Sequence, residues 1–212
     1  MSSSTTPKVH VVDDDAPLRE ALIFLLGSRG VAATGYESAE AFLAAFSADM
    51  RGCVLTDVRM GGMSGLELHE RLKAAGSKLP CIALTGHGDV PMAVEALKKG
   101  VHDFIEKPFD GNALVDKLIG AIAFDAERDA REGNARALRA RLEQLSARER
   151  DVLPLLLAGR MNKMIADELG IAVRTVEVHR ARIFEKMGVK SAVELATLLG
   201  RSGGTDQAPP GG

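Results

Sequence analysis

The first 124 residues alternate between two periods. Short apolar, β-branched runs stand at Val9–Val12, Val31–Thr34, Cys53–Thr56, Cys81–Thr85 and Asp103–Glu106. Segments of helical period follow them at Pro17–Ser28, Ala39–Phe46, Leu66–Ala75, Pro91–Lys99 and Asn112–Phe124. Strands separated by helices imply βαβ units, hence a parallel sheet with helices on both faces. The near-continuous apolar character of the runs agrees, because a strand buried on both sides has no polar face to show. Gly30, Gly76 and Gly100 follow helical stretches where a left-handed cap is wanted. This half is expected to be α/β.

A sheet of that kind opens its binding crevice at the carboxyl ends of its strands. There the first run delivers Asp13 and Asp14, the third Asp57, the fourth Thr85, and the fifth Lys107 followed by Pro108. Clustered carboxylates raise one another's pKa unless a cation stands among them. An all-oxygen, water-rich set suits Mg²⁺, and Lys107 adds a fixed positive charge. Mg²⁺, an ammonium and a short hydroxyl around one central carboxylate form a site that stabilises three phosphoryl oxygens. Asp57 is then the nucleophile that accepts the group. Asp15 reads instead as a helix N-terminal residue ahead of Pro17. His87 and His102 have no neighbouring ligands at metal spacing and read as structural or solvent-facing, and Glu106 as a surface residue.

The pieces "VVDD", "VLTDVRM", "ALTGHGDVPMAVEALKKG" and "DFIEKPF" together resemble the receiver domain of two-component response regulators, over residues 8–124. The resemblance implies a flavodoxin-like, five-stranded parallel sheet of order 2-1-3-4-5. It implies Asp57 as phospho-acceptor, and Asp13, Asp14, Asp57 and the backbone carbonyl of Arg59 as Mg²⁺ ligands. It also implies Thr85 as the switch hydroxyl, Phe104 as the switch aromatic and Lys107 as the phosphate-contacting lysine. One departure matters. The family usually has proline after the "RM" pair, whereas here the loop reads Arg59-Met60-Gly61-Gly62-Met63-Ser64-Gly65. Glycine frees the backbone where proline would fix φ, so a looser metal-bearing loop is expected.

Beyond Phe124 the texture changes. "DAERDAREGNARALRARLEQ", residues 125–144, favours helix apart from Gly133 and Asn134, and reads as an extension of the preceding helix plus a linker helix. From Leu145 onward come four short helical segments with no strand candidate. Ser146, with Glu149 three residues later, is a capping box opening a helix to Ala158 that Gly159 stops. Pro154 inside that helix is expected to kink it. A helix at Asn162–Leu169, a turn at Ile171–Val173 and a helix at Arg174–Met187 follow. In the last of these Val176, Ile183 and Phe184 form a buried stripe, leaving Arg174, Thr175, Glu177, Val178, His179, Arg180 and Arg182 around the other faces. This is the helix-turn-helix plan, whose second helix enters the major groove of DNA. Charge points to the same half: residues 1–124 carry 12 Lys+Arg against 16 Asp+Glu, residues 125–212 carry 15 against 13. The tail at 201–212 is disordered by composition.

The stretches "LSARERDVL", "NKMIADELGI" and "RTVEVHRARIFEKMGV" resemble the LuxR-type DNA-binding domain, over residues 145–200. Joined to a receiver, they make the chain similar to the LuxR/FixJ class of response regulators. The likeness implies that Glu177 and Val178 lie near base edges. It assigns phosphate or groove contacts to Lys163, Arg174, Thr175, His179 and Arg182. Many relatives carry lysine in place of Glu177. A carboxylate there accepts from cytosine N4 but repels phosphate, so a different operator preference is expected.

The expected function is a phosphorylation-switched bacterial transcription regulator of the cytoplasm, not an enzyme. Its expected partners are a sensor histidine kinase, double-stranded DNA, RNA polymerase and, once phosphorylated, a second copy through the face Pro91–Phe124. Two rival readings exist. An aspartate-nucleophile phosphatase needs an acid two residues after the nucleophile, where Arg59 stands and cannot act as one. A pure interaction module would use the C-terminal half to bind protein. No apolar run is long enough to span a bilayer, and the start "MSSSTTPK" has no apolar signal core. Cys53 and Cys81 lie in apolar runs and read as buried free thiols, which fits a reducing compartment.

Overall fold

The computed structural model describes residues 6–86 and 97–203. His87 and most of the helix expected at Pro91–Lys99 lie outside the described residues, as does the expected tail from 204 onward, whereas its first residues, 201–203, continue the last helix. The chain divides into two units after Ala130.

The first unit contains β1 (Lys8–Val12), α1 (Ala16–Ser28), β2 (Ala33–Tyr36), α2 (Ala39–Ala45), β3 (Gly52–Asp57), α3 (Gly65–Ala74), β4 (Cys81–Thr85) and β5 (Asp103–Glu106). The helix α4 (Gly111–Glu143) begins in it and ends in the second unit. All strand pairs are parallel, in the order β2-β1-β3-β4-β5. The expected fold class and strand order are therefore those of the structure.

Alternation along the strands divides the interior into two layers. Val9, Val11, Cys53, Leu55, Ile82 and Leu84 meet Leu22 and Leu26 of α1 and Leu114 and Leu118 of α4. On the other face Val12, Val54 and Cys81 meet Phe42 of α2 and Leu68 and Leu72 of α3. Burying each of these larger side chains contributes roughly 1.5–3 kcal/mol, which holds the strand ends in fixed register. Both cysteines are free and buried, and burial pushes each thiol up to about 12.

Two elements differ from expectation. The second strand was expected at Val31–Thr34 but begins at Ala33. Val31 N still donates to Leu26 O after Gly30 turns the chain at φ 71, so this part of the run closes α1. The helix α4 runs unbroken through Gly133 and Asn134, where a separate linker helix was expected. One interior glycine costs only about 1 kcal/mol relative to alanine, too little to break a segment otherwise rich in Ala, Arg and Glu.

The second unit holds the end of α4 and α5 (Ala147–Leu157), α6 (Asn162–Leu169), α7 (Val173–Met187) and α8 (Ala192–Gly203). The expected capping box of Ser146 and Glu149 is present, and α5 continues through Pro154. Its core joins Leu138, Leu145, Val152, Leu156, Ile165, Val176, Ile183, Met187 and Leu195.

The N-cap positions show a contrast. Asp15, Ser38, Ser64 and Ser146 each accept from the first turn of their helix. Met161 before α6 and Ala172 before α7 have the same extended backbone but no side-chain cap. Met161→Ser and Ala172→Ser should each raise the stability of the second unit by about 0.5–1 kcal/mol, read as a higher melting temperature by calorimetry on the full chain.

Candidate functional site

Register brings the site together. Val12 lies opposite Thr56, so Asp13 and Asp57 leave β1 and β3 as neighbours. Leu84 lies opposite Asp57, which sets Thr85 one step further on, and Thr85 in turn lies opposite Glu106, just before Lys107. Lys107 N donates to Thr85 O at 2.7 Å and fixes the start of the next loop. The Lys107–Pro108 peptide bond is cis.

The Lys107 ammonium lies 2.5 Å from Asp57 Oδ2 and 3.7 Å from Asp13 Oδ2. Asp57 Oδ1 accepts from Arg59 N at 3.1 Å. Asp13 is wholly buried; its Oδ1 accepts from Asp15 N at 2.9 Å, while Oδ2 has no hydrogen-bond donor. Burial raises the Asp13 carboxyl above the usual carboxylate range, the Asp15 amide and Lys107 oppose this, and the Asp57 and Asp14 charges add to it. Two residues that sequence reasoning missed shape this corner. Arg19 Nη1 donates to Asp13 O at 2.6 Å. Gly65 lets α3 approach β3: a Cβ there would lie 2.2 Å from Asp57 O.

Asp14, whose charge reaches Asp13, is exposed, and its Oδ2 accepts from Gly61 N at 2.7 Å. Among the described residues no three His, Cys, Asp or Glu side chains form a ready metal cage. The donor set still fits a hard cation: the buried, donorless Oδ2 of Asp13 lies in one cluster with Asp57, and Mg²⁺ keeps several of its waters. Thr85 is buried. Phe104 is half-buried against the cluster of Val58, Ala83 and Val101. Asp15 caps α1 as expected, Glu106 is exposed, and the exposed His102 ring lies 5.0 Å from that of Phe124.

In the second unit Val176 and Ile183 of α7 are fully buried and Phe184 partly so, as expected. Lys163, Arg174, Thr175, Glu177, Val178 and Arg182 are exposed, and His179 is half-buried. Arg180 has a different use: its Nη1 donates to Asn162 Oδ1 at 2.8 Å and its guanidinium lies 5.8 Å from the Phe184 ring, so it pins α6 to α7. At the far end of α7, Arg141 Nη1 donates to Met187 O at 3.0 Å, and Lys186 pairs with the buried Glu149 at 2.7 Å.

The raised Asp13 carboxyl carries a signed stability consequence. In the folded state the ionised form is disfavoured, so the wild type loses stability as pH rises through the ordinary carboxylate value of 3.8. Asp13→Asn should therefore be more stable than wild type at pH 7. The gap should close below pH 3.8, measured by urea denaturation across pH.

Residues 9–119 match the family model described as response regulator receiver domain, and residues 143–199 the one described as bacterial regulatory proteins, luxR family. The transcriptional regulatory protein FixJ of Azorhizobium caulinodans is 48% identical over 95% of this chain and 97% of its own length. The C4-dicarboxylate transport transcriptional regulatory protein DctR of Rhodobacter capsulatus is 48% identical over 90% of this chain and 98% of its own. The solved structure of the response regulator StyR superposes with a TM-score of 0.85 at 42% identity, covering 92% of this chain and 98% of that one. The chain belongs to the response regulators that join a receiver domain to a LuxR-type DNA-binding domain, and is a transcription regulator rather than an enzyme.

Proposed function

We propose that this regulator is switched by transfer of a phosphoryl group to Asp57 from the phosphohistidine of a sensor histidine kinase, and that the phosphorylated form dimerises on DNA. The observation that carries the reading is the 2.5 Å contact of Lys107 Nζ with Asp57 Oδ2 beside the buried Asp13. In the transfer an Asp57 oxygen bonds to phosphorus as the phosphorus–nitrogen bond breaks and imidazole leaves. Asp13, Asp14, Asp57 and the Arg59 carbonyl would hold Mg²⁺, whose divalent charge offsets that of the phosphoryl oxygens. Lys107 exchanges its carboxylate partner for a phosphoryl oxygen, and the Thr85 hydroxyl donates to another. The added charge of about −2 draws both inward.

Movement of Thr85 leaves room for Phe104 to turn, which reshapes the surface between Pro91 and Phe124. The exposed apolar side chains of Leu97, Ile119 and Phe124 support that surface as the dimer face. Paired second units then meet paired half-sites, with Glu177 and Val178 near base edges and Lys163, Arg174, Thr175, His179 and Arg182 at phosphates or groove walls. RNA polymerase is the downstream partner, and the cytoplasm is the compartment this reading requires. Among the described residues no helix is long and apolar enough to cross a membrane.

Incubation with acetyl phosphate and Mg²⁺ should label the protein and tighten its binding to DNA in mobility-shift assays, and Asp57→Asn should abolish both. Undiminished labelling of the variant overturns the role of Asp57.

The DNA contacts have their own test. Arg174→Ala should weaken binding to every sequence and shallow the salt slope by roughly one unit. Glu177→Lys should change the preferred base and lose about 1–3 kcal/mol on the original operator. Uniformly tighter binding to all sequences would set residue 177 against the backbone instead.

A further inference from the structure

The loop from β3 to α3 is tied down by two carboxylates from outside it. Asp14 Oδ2 accepts from Gly61 N at 2.7 Å, and Glu40 Oε1 accepts from Met63 N at 3.0 Å. Between them Gly62 has a φ of 100°, whereas Gly61 does not lie in the left-handed region. A Cβ built on Gly61 would meet only Asp14 Oδ2, at an ordinary 3.5 Å. Residue 61 therefore has no need of glycine's conformational range or of its small size. What it contributes is a backbone N–H. The proline usual in this family after the "RM" pair has none.

We propose that the Gly61 amide competes with the divalent cation for Asp14, so that this chain holds Mg²⁺ more weakly than it would with proline at 61. The inference rests on the reading of Asp13, Asp14 and Asp57 as the cation-binding cluster. A cation that approaches Asp14 along the lone pair the amide already occupies must displace that charge-assisted hydrogen bond. Asp13 Oδ2 has no hydrogen bond to give up, only the Lys107 ammonium 3.7 Å away. Asp14 has one, since the oxygen nearest the loop is already engaged. The two adjacent carboxylates thus play unequal parts: Asp13 is a standing ligand, and Asp14 is released from the loop only as the cation arrives. Because Asp14 is exposed, water replaces part of what the amide gives, and the effect is modest.

The full-length chain is titrated with MgCl₂ by calorimetry as wild type, Gly61→Ala and Gly61→Pro. Gly61→Pro should bind roughly three- to tenfold more tightly, and Gly61→Ala, which keeps the N–H, should match wild type. Asp14→Asn should erase the difference between proline and glycine at 61. In wild type the Gly61 amide proton should shift and exchange faster as Mg²⁺ is added, a reading by nuclear magnetic resonance that decides the matter even if the proline variant does not fold. Equal affinities of Gly61→Pro and wild type, an alanine variant that follows the proline one, or a Gly61 amide indifferent to saturating Mg²⁺ would each overturn the competition while leaving the cation cluster intact. No Mg²⁺ binding by any variant would overturn the cluster and the competition together.

Discussion

Lys107 Nζ stands 2.5 Å from one carboxylate and 3.7 Å from another, and the receiver unit is built around holding those three charges at one end of a sheet. Two carboxylates this close repel, and Asp13 adds the cost of complete burial. Only a sheet in which β1, β3 and β5 all end on the same side can set them against one ammonium. Parallel pairing supplies that condition, and the register from Val12–Thr56 through Asp57–Leu84 to Thr85–Glu106 makes it specific. A slip of one residue in any pair would turn the charged side chain away from the others and reverse the buried faces of that strand. The two apolar layers fix the register, and the register fixes the charges.

How far this could be read from residues alone depended on whether the controlling interaction was local. Apolar strands between helical segments are a local pattern, and they located four of the five strands to within a residue or so. The second failed because Val31, apolar and β-branched, is held by a hydrogen bond back to Leu26 that no pattern at that position reveals. Ser146 had a glutamate three residues on and its capping box formed, and Ser64 with Glu67, not singled out from the sequence, forms another. Strand ends carried Asp13, Asp57, Thr85 and Lys107 to one place for the same reason. The bond that orients Asp14 is not local. Asp14 is adjacent to Asp13 in the chain, yet its orientation is set by an amide 47 residues away, and only the folded loop brings that amide into reach. The use of Arg180 is not local either: it resembles its basic neighbours on α7 but is used to hold Asn162.

Away from the Asp13, Asp57 and Lys107 cluster, burial disfavours the charged forms of His10, Cys53 and Cys81. His10 packs against Tyr36 and Phe42, with ring centroids 6.0 and 5.3 Å away, and burial, then the Lys8 charge, pushes its pKa down to about 4. The folded state therefore resists protonating it, and stability falls as pH drops from the usual histidine value of 6.5 toward 4. The two cysteines are neutral for the same cause. The buried Asp125 carboxylate is met by donors: Gly52 N at 3.0 Å, Arg51 at 3.5 Å, and Arg128.

Asp125 meets β3 at the end opposite Asp57. Gly52 opens β3 with a φ of 111° and passes so close to Lys8 that a Cβ would lie 1.9 Å from its carbonyl oxygen, so no other residue can present its N–H to Asp125 there. β3 is thereby held at its base by a carboxylate from α4, along its length by β1 and β4, and at its tip by Lys107. Such a strand has little freedom to respond to new charge. What remains adaptable at the site lies beside it: a loop held by single hydrogen bonds to Asp14 and Glu40, and a half-buried Phe104. A rigid strand end among movable neighbours is the arrangement in which adding charge to one side chain shifts surfaces around it rather than the sheet beneath.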